Sequence, residues 1–431
     1  MRRQSSLVIG LVERWFLIFT LLFSTSPIIP LLRLVTDGAV LYEGDPLMQS
    51  IWFAIYLVTL FLIILRWKQF IYIATKDKLL LLIIGLAIVS ALWSADPLFA
   101  LRRSIALVGT SIFGIYLASR YSLKEQLQLL AWALGIAALL SLLFVIVPPH
   151  YGIENKGVYA GVWRGIYHHK NPLGHFMALS AVVFLLLTPR KSIYRWFSWA
   201  AFGFSSSLLL LSTAKNPLVT FLSILALLPI CKSLRWHYSL RIPFLIAVVL
   251  LGGSVAIFCL SDTVTVLGAL GKDTTFTGRT ELWYLLLNMG LQHPLLGYGY
   301  SAFWRGWDGP SAIIWNSLFW QPNHAHNGLL QLWLDLGLVG VFLFTLSFIK
   351  ASLKAVDWVR STKTLEGFWP LVYLAFMFLC NVSDSLILSA NNIIWILYVA
   401  TTFSMSVQRK PERKTSYVET TMNKQGLAQD A

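Results

Sequence analysis

The sequence contains little charge. Asp, Glu, Lys and Arg together make up 12% of the 431 residues, whereas about 25% is usual for a soluble domain. Apolar runs of roughly 17–22 residues recur along the chain instead, and each is long enough to cross about 30 Å of hydrocarbon as a helix. The scarcity of charge excludes a soluble multidomain protein, and the runs predict an all-α polytopic membrane protein.

Cysteine is scarce as well. The three cysteines, Cys231, Cys259 and Cys380, lie far apart in the sequence. This spacing indicates neither a disulfide framework nor a CxxC metal site, and we predict no cofactor.

The apolar runs predict about twelve transmembrane helices, an even number that places both termini on one side of the membrane. The approximate spans are 15–35, 49–66, 79–95, 104–119, 126–147, 172–188, 196–212, 217–231, 242–260, 327–349, 367–383 and 391–408. Helices one to nine occupy residues 1–260, with a smaller external loop at 148–171. A larger external loop follows at 261–326, helices ten to twelve lie within 327–408, and residues 409–431 are predicted to be a disordered cytoplasmic tail.

Acidic residues are few, and their shortage gives the chain a net charge of +15, from 34 Lys and Arg against 19 Asp and Glu. Such an excess could indicate nucleic-acid binding, but 24 of the 34 basic residues fall in segments on one side of the predicted membrane. Cytoplasmic loops carry this bias in membrane proteins. The charge therefore predicts cytoplasmic termini and contacts with membrane lipids, and it gives no support to a nucleic-acid partner.

The larger external loop is rich in aromatic side chains, which suit stacking on the C–H face of a sugar ring. An aromatic belt at the bilayer interface is the alternative interpretation for each of them. Trp304 is one candidate for sugar binding. The aromatic residues are Trp283, Tyr284, Tyr298, Tyr300, Phe303, Trp304, Trp307, Trp315, Phe319 and Trp320.

Basic residues in the external loops run against the charge bias and therefore need another reason to be there. Arg279 and Glu281 open a predicted helix after Gly278, and Arg279 would stand where free N–H groups favour an anion. Further external cations include Arg102, Arg103, Arg164, Lys170 and Lys215, with His168 and His169 beside Lys170. Diphosphate binding is one interpretation, and snorkelling or contact with lipid phosphates is the alternative.

His324 and His326 form an HxH pair just before the tenth predicted span. A histidine near its ordinary pKa on the external face suits general-base catalysis. Metal ligation and helix capping are the alternatives. Because nearby carboxylates are few and no zincin-like spacing occurs, we predict no metal site.

The segment from His326 to Gly340, HNGLLQLWLDLGLVG, resembles the signature of O-antigen ligases and Wzy-type polymerases. TGRTELW at 277–283, HPLLGYG at 293–299 and RGIYHHKNPLG at 164–174 are similar to other segments of that superfamily, and 92–103 and 208–217 match more weakly. The paired histidines before KNPLG are most similar to ExoQ-type exopolysaccharide polymerases.

This resemblance implies a GT-C-like glycosyltransferase of the bacterial inner membrane that acts without metal at the periplasmic face. Its donor would be a polyprenyl-diphosphate-linked glycan, and a flippase and a chain-length regulator of the same pathway are possible partners. His326 would act on the acceptor hydroxyl, while Arg279 and Arg164 would bind the diphosphate. Lys170, Lys215, Arg102, Arg103, His324 and Glu281 are further candidates for substrate binding.

Two other functions stay open from the sequence. One is an O-antigen ligase, which would transfer the glycan to lipid A core by the same chemistry. The other is a polysaccharide transporter or flippase, whose ionisable residues would lie near the middle of the bilayer. Asp335 and Asp384 are the clearest carboxylates within the predicted spans.

Overall fold

A computed structural model describes residues 2–27, 46–147, 149–154, 160–188, 194–237, 239–240 and 279–407. Every regular element within these ranges is a helix. In chain order they are α1 (Arg2–Phe23), α2 (Pro46–Ile64), α3 (Trp67–Ala74), α4 (Lys78–Val89), α5 (Pro97–Arg120), α6 (Leu123–Ile146), α7 (Pro149–Gly152), α8 (Lys170–Leu186), α9 (Tyr194–Leu211), α10 (Lys215–Ser233), α11 (Arg279–Gln292), α12 (Ala312–Ser317), α13 (Gly328–Ser361), α14 (Trp369–Ser383) and α15 (Ile393–Val407).

Most of the apolar runs form helices close to where the sequence predicts them, but α1 begins at Arg2 and ends at Phe23, whereas the predicted first span is 15–35. Six described helices are long and apolar enough to cross a membrane, and three shorter apolar helices accompany them. The all-α polytopic fold is therefore confirmed. The predicted ninth span at 242–260 and the tail at 409–431 lie outside the described residues, as do residues 28–35 of the first span and 261–278 of the larger loop.

Polar side chains fix the beginnings of several helices. Asp77 accepts a hydrogen bond from the Leu80 N–H at the start of α4, and Asp96 does the same for the Phe99 N–H in α5. Such capping residues satisfy N–H groups that have no partner inside the helix. These caps therefore fix the residues at which α4 and α5 begin.

Two helices form the centre of the bundle because they are apolar on all sides. Almost every residue from 173 to 186 in α8 and from 393 to 405 in α15 is buried. α8 packs against α6, α9, α10 and α14, and α15 packs against α5, α13 and α14. A helix that is apolar all round belongs in the interior, so the first residues of α8 are held rigidly.

Helix α13 is broken at Gly337, where the backbone adopts φ 66° and ψ −170°. The turn at 293–299 fits into the break: the Leu338 N–H donates to the Pro294 carbonyl at 2.8 Å, and the Val339 N–H donates to the Leu295 carbonyl at 3.2 Å. A Cβ at position 337 would lie 2.1 Å from the Leu295 carbonyl. Only glycine fits there, which explains why the 326–340 motif has glycine at this position.

The described part of the larger loop has a small core of its own. Leu282, Leu286, Phe303, Ile314 and Leu334 are among its buried members. This core joins α11 and α12 to the first half of α13, so the segment folds as a unit on the bundle.

Several contacts fix this unit to the connection between α4 and α5. The Tyr300 N–H donates to Ser90 Oγ at 2.9 Å, and Arg305 forms an ion pair with Asp96 at 3.0 Å. The loop is therefore held at one end of the bundle, above the helix ends that it covers.

Candidate functional site

His326 and His324 lie in contact at the end of the larger loop. Their ring centroids are 3.9 Å apart, and the His326 backbone N–H donates to His324 Nδ1 at 3.2 Å. His326 has a φ of +52°, in the left-handed region that non-glycine residues rarely adopt. Strained backbone of this kind is common at functional sites, and here the hydrogen bond to His324 holds it.

Asp384 approaches this pair from the end of α14. Its Oδ1 lies 3.9 Å from His324 Nε2. Since His324 Nδ1 accepts a hydrogen bond, the neutral imidazole carries its proton on Nε2, the atom that faces the carboxylate. The Asp384 carboxylate can therefore orient the His324 imidazole, and His324 in turn holds the backbone of His326.

Burial favours the neutral form of both histidines. Burial lowers the pKa of His326 well below its usual value, and a protonated His324 and the charge of Arg279 lower it further against the opposing field of Asp384. Burial likewise lowers the pKa of His324. An unprotonated imidazole can accept a proton, so His326 has the ionisation state that a general base requires.

Arg279 acts electrostatically on both imidazoles. It is half-buried at the first residue of α11. One turn later, Trp283 Nε1 donates to the Ala325 carbonyl at 2.9 Å. This bond fixes the distance between α11 and the histidines, so the guanidinium of Arg279 and the ring of His326 belong to one site.

Two tryptophans of the loop have different surroundings. Trp320 lies beside His326, with ring centroids 5.7 Å apart, and no described group accepts a hydrogen bond from its buried Nε1. Trp304, the tryptophan predicted to bind sugar, donates through Nε1 to Gln331 at 2.8 Å. Gln331 also accepts from the Ala325 N–H at 3.1 Å, so the Trp304 N–H supports the histidine loop.

Helix capping is wrong as the reason for the two histidines. The Asn327 side chain caps α13 by accepting from the Leu329 and Leu330 N–H groups at 3.1 and 3.0 Å. Neither imidazole is needed for that purpose.

Lys170 and Lys215 come together at the starts of α8 and α10. A Cβ on Gly174 of α8 would meet Pro217 and Ala214 of α10 at 2.8 and 2.9 Å, and the charge of Lys215 acts on Lys170. Two helix N-termini and two ammonium groups thus converge. Helix N-termini favour anions, so this arrangement suits a phosphate.

His169 joins this pair of lysines to the histidine site. Burial lowers its pKa, Lys170 and Arg164 lower it further, and the carboxylates Glu154 and Asp384 oppose them. Its Nδ1 caps α8 by accepting from the Asn171 N–H at 3.3 Å. Residues from both external loops are therefore close enough to act on one another.

Arg164 forms its hydrogen bonds and its ion pair within the smaller loop. Its guanidinium forms an ion pair with Glu154 at 3.0 Å, and it donates to the Tyr151 carbonyl at 2.9 Å and to the His150 carbonyl at 3.3 Å. The side chain holds the smaller loop closed around the start of α8. Its predicted contact with a diphosphate stays a prediction.

The remaining predicted residues lie at the edge of the site. Glu281 is exposed in the first turn of α11, and Arg102 is exposed in α5. Arg103 is half-buried and acts electrostatically on Tyr56 of α2. Their predicted roles in substrate binding stay predictions.

Sequence reasoning missed His175 and missed the contact between Asp384 and His324. The field of His175 acts on Asp384, and its ring is 6% exposed with no described partner for Nε2. The spacing of polar residues in the apolar run of α8 could have drawn attention to His175. Asp384 was noticed, but only the fold brings it to His324.

A repeated tetrapeptide could have predicted the pair of lysines. Lys-Asn-Pro-Leu occurs at 170–173 and again at 215–218, and each copy begins a helix. Within the described ranges, no group of three or more His, Cys, Asp or Glu side chains is placed to hold a metal ion.

Comparison with known proteins bears on the same segments. Residues 200–345 match a protein family described as O-antigen ligase. Exopolysaccharide production protein ExoQ of Rhizobium meliloti (strain 1021) is 27% identical to the chain over 279 residues, which cover 62% of each protein.

Shorter matches point in the same direction. A putative polysaccharide ligase of Rickettsia felis is 30% identical over 96 residues, which are 22% of this chain and 23% of that protein. Putative polysaccharide ligase RC0486 of Rickettsia conorii is 33% identical over 78 residues, or 17% and 19% of the two chains. These matches confirm the resemblance to the O-antigen ligase superfamily and, within it, to ExoQ.

Proposed function

We propose that this protein is a glycosyltransferase that polymerises lipid-linked oligosaccharide repeat units into exopolysaccharide or O-antigen. The donor is a polyprenyl-diphosphate-linked glycan, and transfer takes place without metal at the periplasmic face of the bacterial inner membrane. The observation that carries the proposal is a neutral His326 that shares one site with Arg279. The match to ExoQ, named as an exopolysaccharide production protein, supports the same class of product.

His326 is the general base in this reaction. A hydroxyl of the acceptor sugar attacks the anomeric carbon of the donor, and its proton passes to the imidazole. The bond between the anomeric carbon and the diphosphate oxygen breaks, and the lipid diphosphate leaves with the electron pair. Asp384 and His324 position the base, because the Asp384 carboxylate lies 3.9 Å from His324 Nε2 and the two imidazole rings are in contact.

Fixed cations stabilise the leaving group. Arg279 presents a planar fork of donors that can bind two phosphate oxygens. Lys170 and Lys215, at their paired helix starts, bind the remaining charge. A diphosphate whose charge is neutralised in this way departs with little help from an acid.

An O-antigen ligase is the second candidate, and the family match at 200–345 favours it. The two enzymes differ only in the acceptor. Purified protein should therefore receive the lipid-linked repeat unit alone, and then the same donor with lipid A core. We expect a ladder of longer lipid-linked glycans without lipid A core. Transfer that requires lipid A core would make the protein a ligase.

The positions of the carboxylates give less support to a transporter than to a glycosyltransferase. Asp384 follows the last residue of α14 and faces a loop, and Asp335 accepts a hydrogen bond from Gln331 at 3.1 Å. Proteoliposomes given lipid-linked glycan without acceptor measure transport directly. Translocation in that assay, with no transfer in the first, would overturn the proposal.

A further inference from the structure

A cavity of about 470 Å³ lies at the other end of the bundle, between α1 and α6. This end carries Arg120 and Lys124, where α5 finishes and α6 begins, whereas the histidine site lies beyond the start of α5. The proposed glycosyl transfer uses no residue of this cavity. Its volume falls within the range of small-molecule binding sites.

Along α6 the lining passes from polar to apolar side chains, and α1 contributes apolar side chains on both sides of Arg14. Arg14, Tyr121, Glu125 and Gln128 line the polar part, and the lining is completed by the apolar side chains of Leu11, Trp15, Ile18, Leu129 and Trp132. Glu125 and Trp132 stand on α6 seven positions apart, or about 10 Å along the helix. The polar part is nearer to the first residue of α6, so it faces the membrane surface, and the apolar part extends towards the hydrocarbon.

Two tryptophans mark where the cavity opens to lipid. Trp15 is 53% exposed and Trp132 is 59% exposed. Tryptophan concentrates at the boundary between headgroups and acyl chains. A molecule with a polar head and apolar tails therefore matches both the lining and its depth.

The polar part holds one positive and one negative group. Arg14 is exposed, and within the described residues it forms no hydrogen bond or ion pair. Its charge acts on Glu125, but the two do not come within ion-pair distance of each other. Glu125 Oε2 accepts from the Ser122 N–H at 2.9 Å and from Ser122 Oγ at 2.8 Å, which fixes the carboxylate.

We propose that this cavity binds a zwitterionic phospholipid with a primary ammonium headgroup, of the phosphatidylethanolamine type. Arg14 binds the phosphate through charge-assisted hydrogen bonds. Glu125 and Gln128 accept hydrogen bonds from the ammonium, which lies two carbon atoms from the phosphate ester. A purely anionic headgroup would bring its charge towards Glu125, and a trimethylammonium group has no N–H to donate.

Native mass spectrometry of the full chain in detergent tests this proposal. The delipidated protein is mixed, one at a time, with dioleoyl phosphatidylethanolamine, phosphatidylglycerol and phosphatidylcholine. We expect one retained phosphatidylethanolamine, and weaker retention of the other two lipids. Arg14→Gln should lower the bound fraction about tenfold, as expected for losing hydrogen bonds to a charged group.

Two further variants complete the experiment. Glu125→Gln keeps the helix cap, because glutamine also completes a capping box, and it should remove the preference for phosphatidylethanolamine over phosphatidylcholine. Arg360→Gln is the matched control, since Arg360 is an exposed arginine in the last turn of α13. It should bind lipid like the wild type, and all variants should elute alike.

Several outcomes overturn the proposal. Equal lipid binding by Arg14→Gln and Arg360→Gln would show that Arg14 does not bind the phosphate. Equal retention of the three lipids would show that the cavity holds lipid without selecting a headgroup. A preference for phosphatidylglycerol that survives Glu125→Gln would make the occupant anionic. A lipid-free dimer that Arg14→Gln dissociates would make it a second copy of the chain, and absence of any adduct would also refute lipid binding.

Discussion

Two clusters of charged side chains stand at opposite ends of the bundle, and they differ in how completely they are satisfied. Glu13 of α1 is buried and accepts from Arg66 at 3.0 Å, Tyr116 at 2.6 Å, Arg120 at 3.3 Å and Tyr121 at 3.2 Å. These donors come from the region after α2 and from the end of α5. Both oxygens of this carboxylate accept hydrogen bonds, so the cluster joins helices.

The histidine cluster leaves donors and acceptors available. His175 Nε2 and Trp320 Nε1 are buried, and neither has a partner among the described residues. His326 keeps an unfavourable backbone conformation. Unsatisfied buried groups cost about 1–3 kcal/mol each, and strained backbone costs a similar amount. Groups of this kind can serve a ligand or a reaction, so the difference favours the histidine cluster over the Glu13 cluster as the candidate site.

The largest expected effect comes from His326→Ala. Removing a general base lowers rates by about 10²–10⁴-fold, so polysaccharide should be absent from a deletion strain that expresses the variant. The measurement is polymer analysis at equal amounts of membrane-inserted protein. His237→Ala, an exposed histidine after α10, is the control and should make normal polymer. Normal polymer from His326→Ala would remove this residue from the mechanism.

Gly337→Ala should be the most damaging substitution for folding. The new Cβ would overlap the Leu295 backbone at 2.1 Å, and φ is +66°, so we expect a loss of about 3 kcal/mol or more. Folded yield after detergent extraction measures it. Gly85→Ala in α4 is the control, because nothing lies within 4 Å of its Cβ position. Equal yields would show that α13 does not need the break.

The helices and one part of the site were predictable from the sequence for a simple reason. The thickness of a bilayer fixes the length of an apolar run, so α2, α6 and α8 lie within a few residues of their predicted spans. The superfamily motif similarly identified His326. Both signals are local, and neither depends on how distant segments pack.

The missed features depend on long-range contacts. Nothing in the motif shows that the backbone at Pro294 and Leu295 enters the break at Gly337. Asp384 lies 60 residues after His324 in the sequence, and only the packing of α14 against α13 brings them to 3.9 Å. Spacing cannot predict such pairs, because it describes one element at a time.

Arg279→Lys should have a smaller effect than His326→Ala, of about tenfold to a hundredfold in kcat/KM. Lysine keeps the charge but presents a point ammonium in place of the planar fork. Assays with purified variant and lipid-linked donor measure the loss. Arg305→Lys, in the ion pair with Asp96 on the same loop, is the control and should retain most activity. Full activity of Arg279→Lys would show that charge alone is sufficient.

Asp384→Asn and Glu13→Gln each remove one carboxylate, one from each cluster, and so compare the two clusters directly. Asp384→Asn should lower kcat about tenfold, because the positioning of His324 is lost, and should change the melting temperature little. Glu13→Gln should leave kcat unchanged and lower the melting temperature, because Arg66 and Arg120 lose their shared carboxylate. The reverse pattern would exchange the functions assigned to the two clusters.

The smallest expected effect is a shift in the pH dependence of kcat/KM. The pKa of His326 is lowered, so the acid limb of kcat/KM should lie below the ordinary value of about 6.5. Asp384 raises that pKa, because its negative charge favours the protonated imidazole. Asp384→Asn should therefore move the acid limb to still lower pH. A limb that moves upward would contradict this arrangement of charges.

The reaction of purified protein with lipid-linked repeat units in the presence of EDTA tests the central claim most directly. The account assigns the leaving diphosphate to Arg279, Lys170 and Lys215 and the proton to His326. Turnover should therefore be the same with and without the chelator, and His326→Ala should be inactive in both. Loss of wild-type turnover on chelation, restored by one divalent ion, would contradict the account and make His324 and His326 candidate metal ligands.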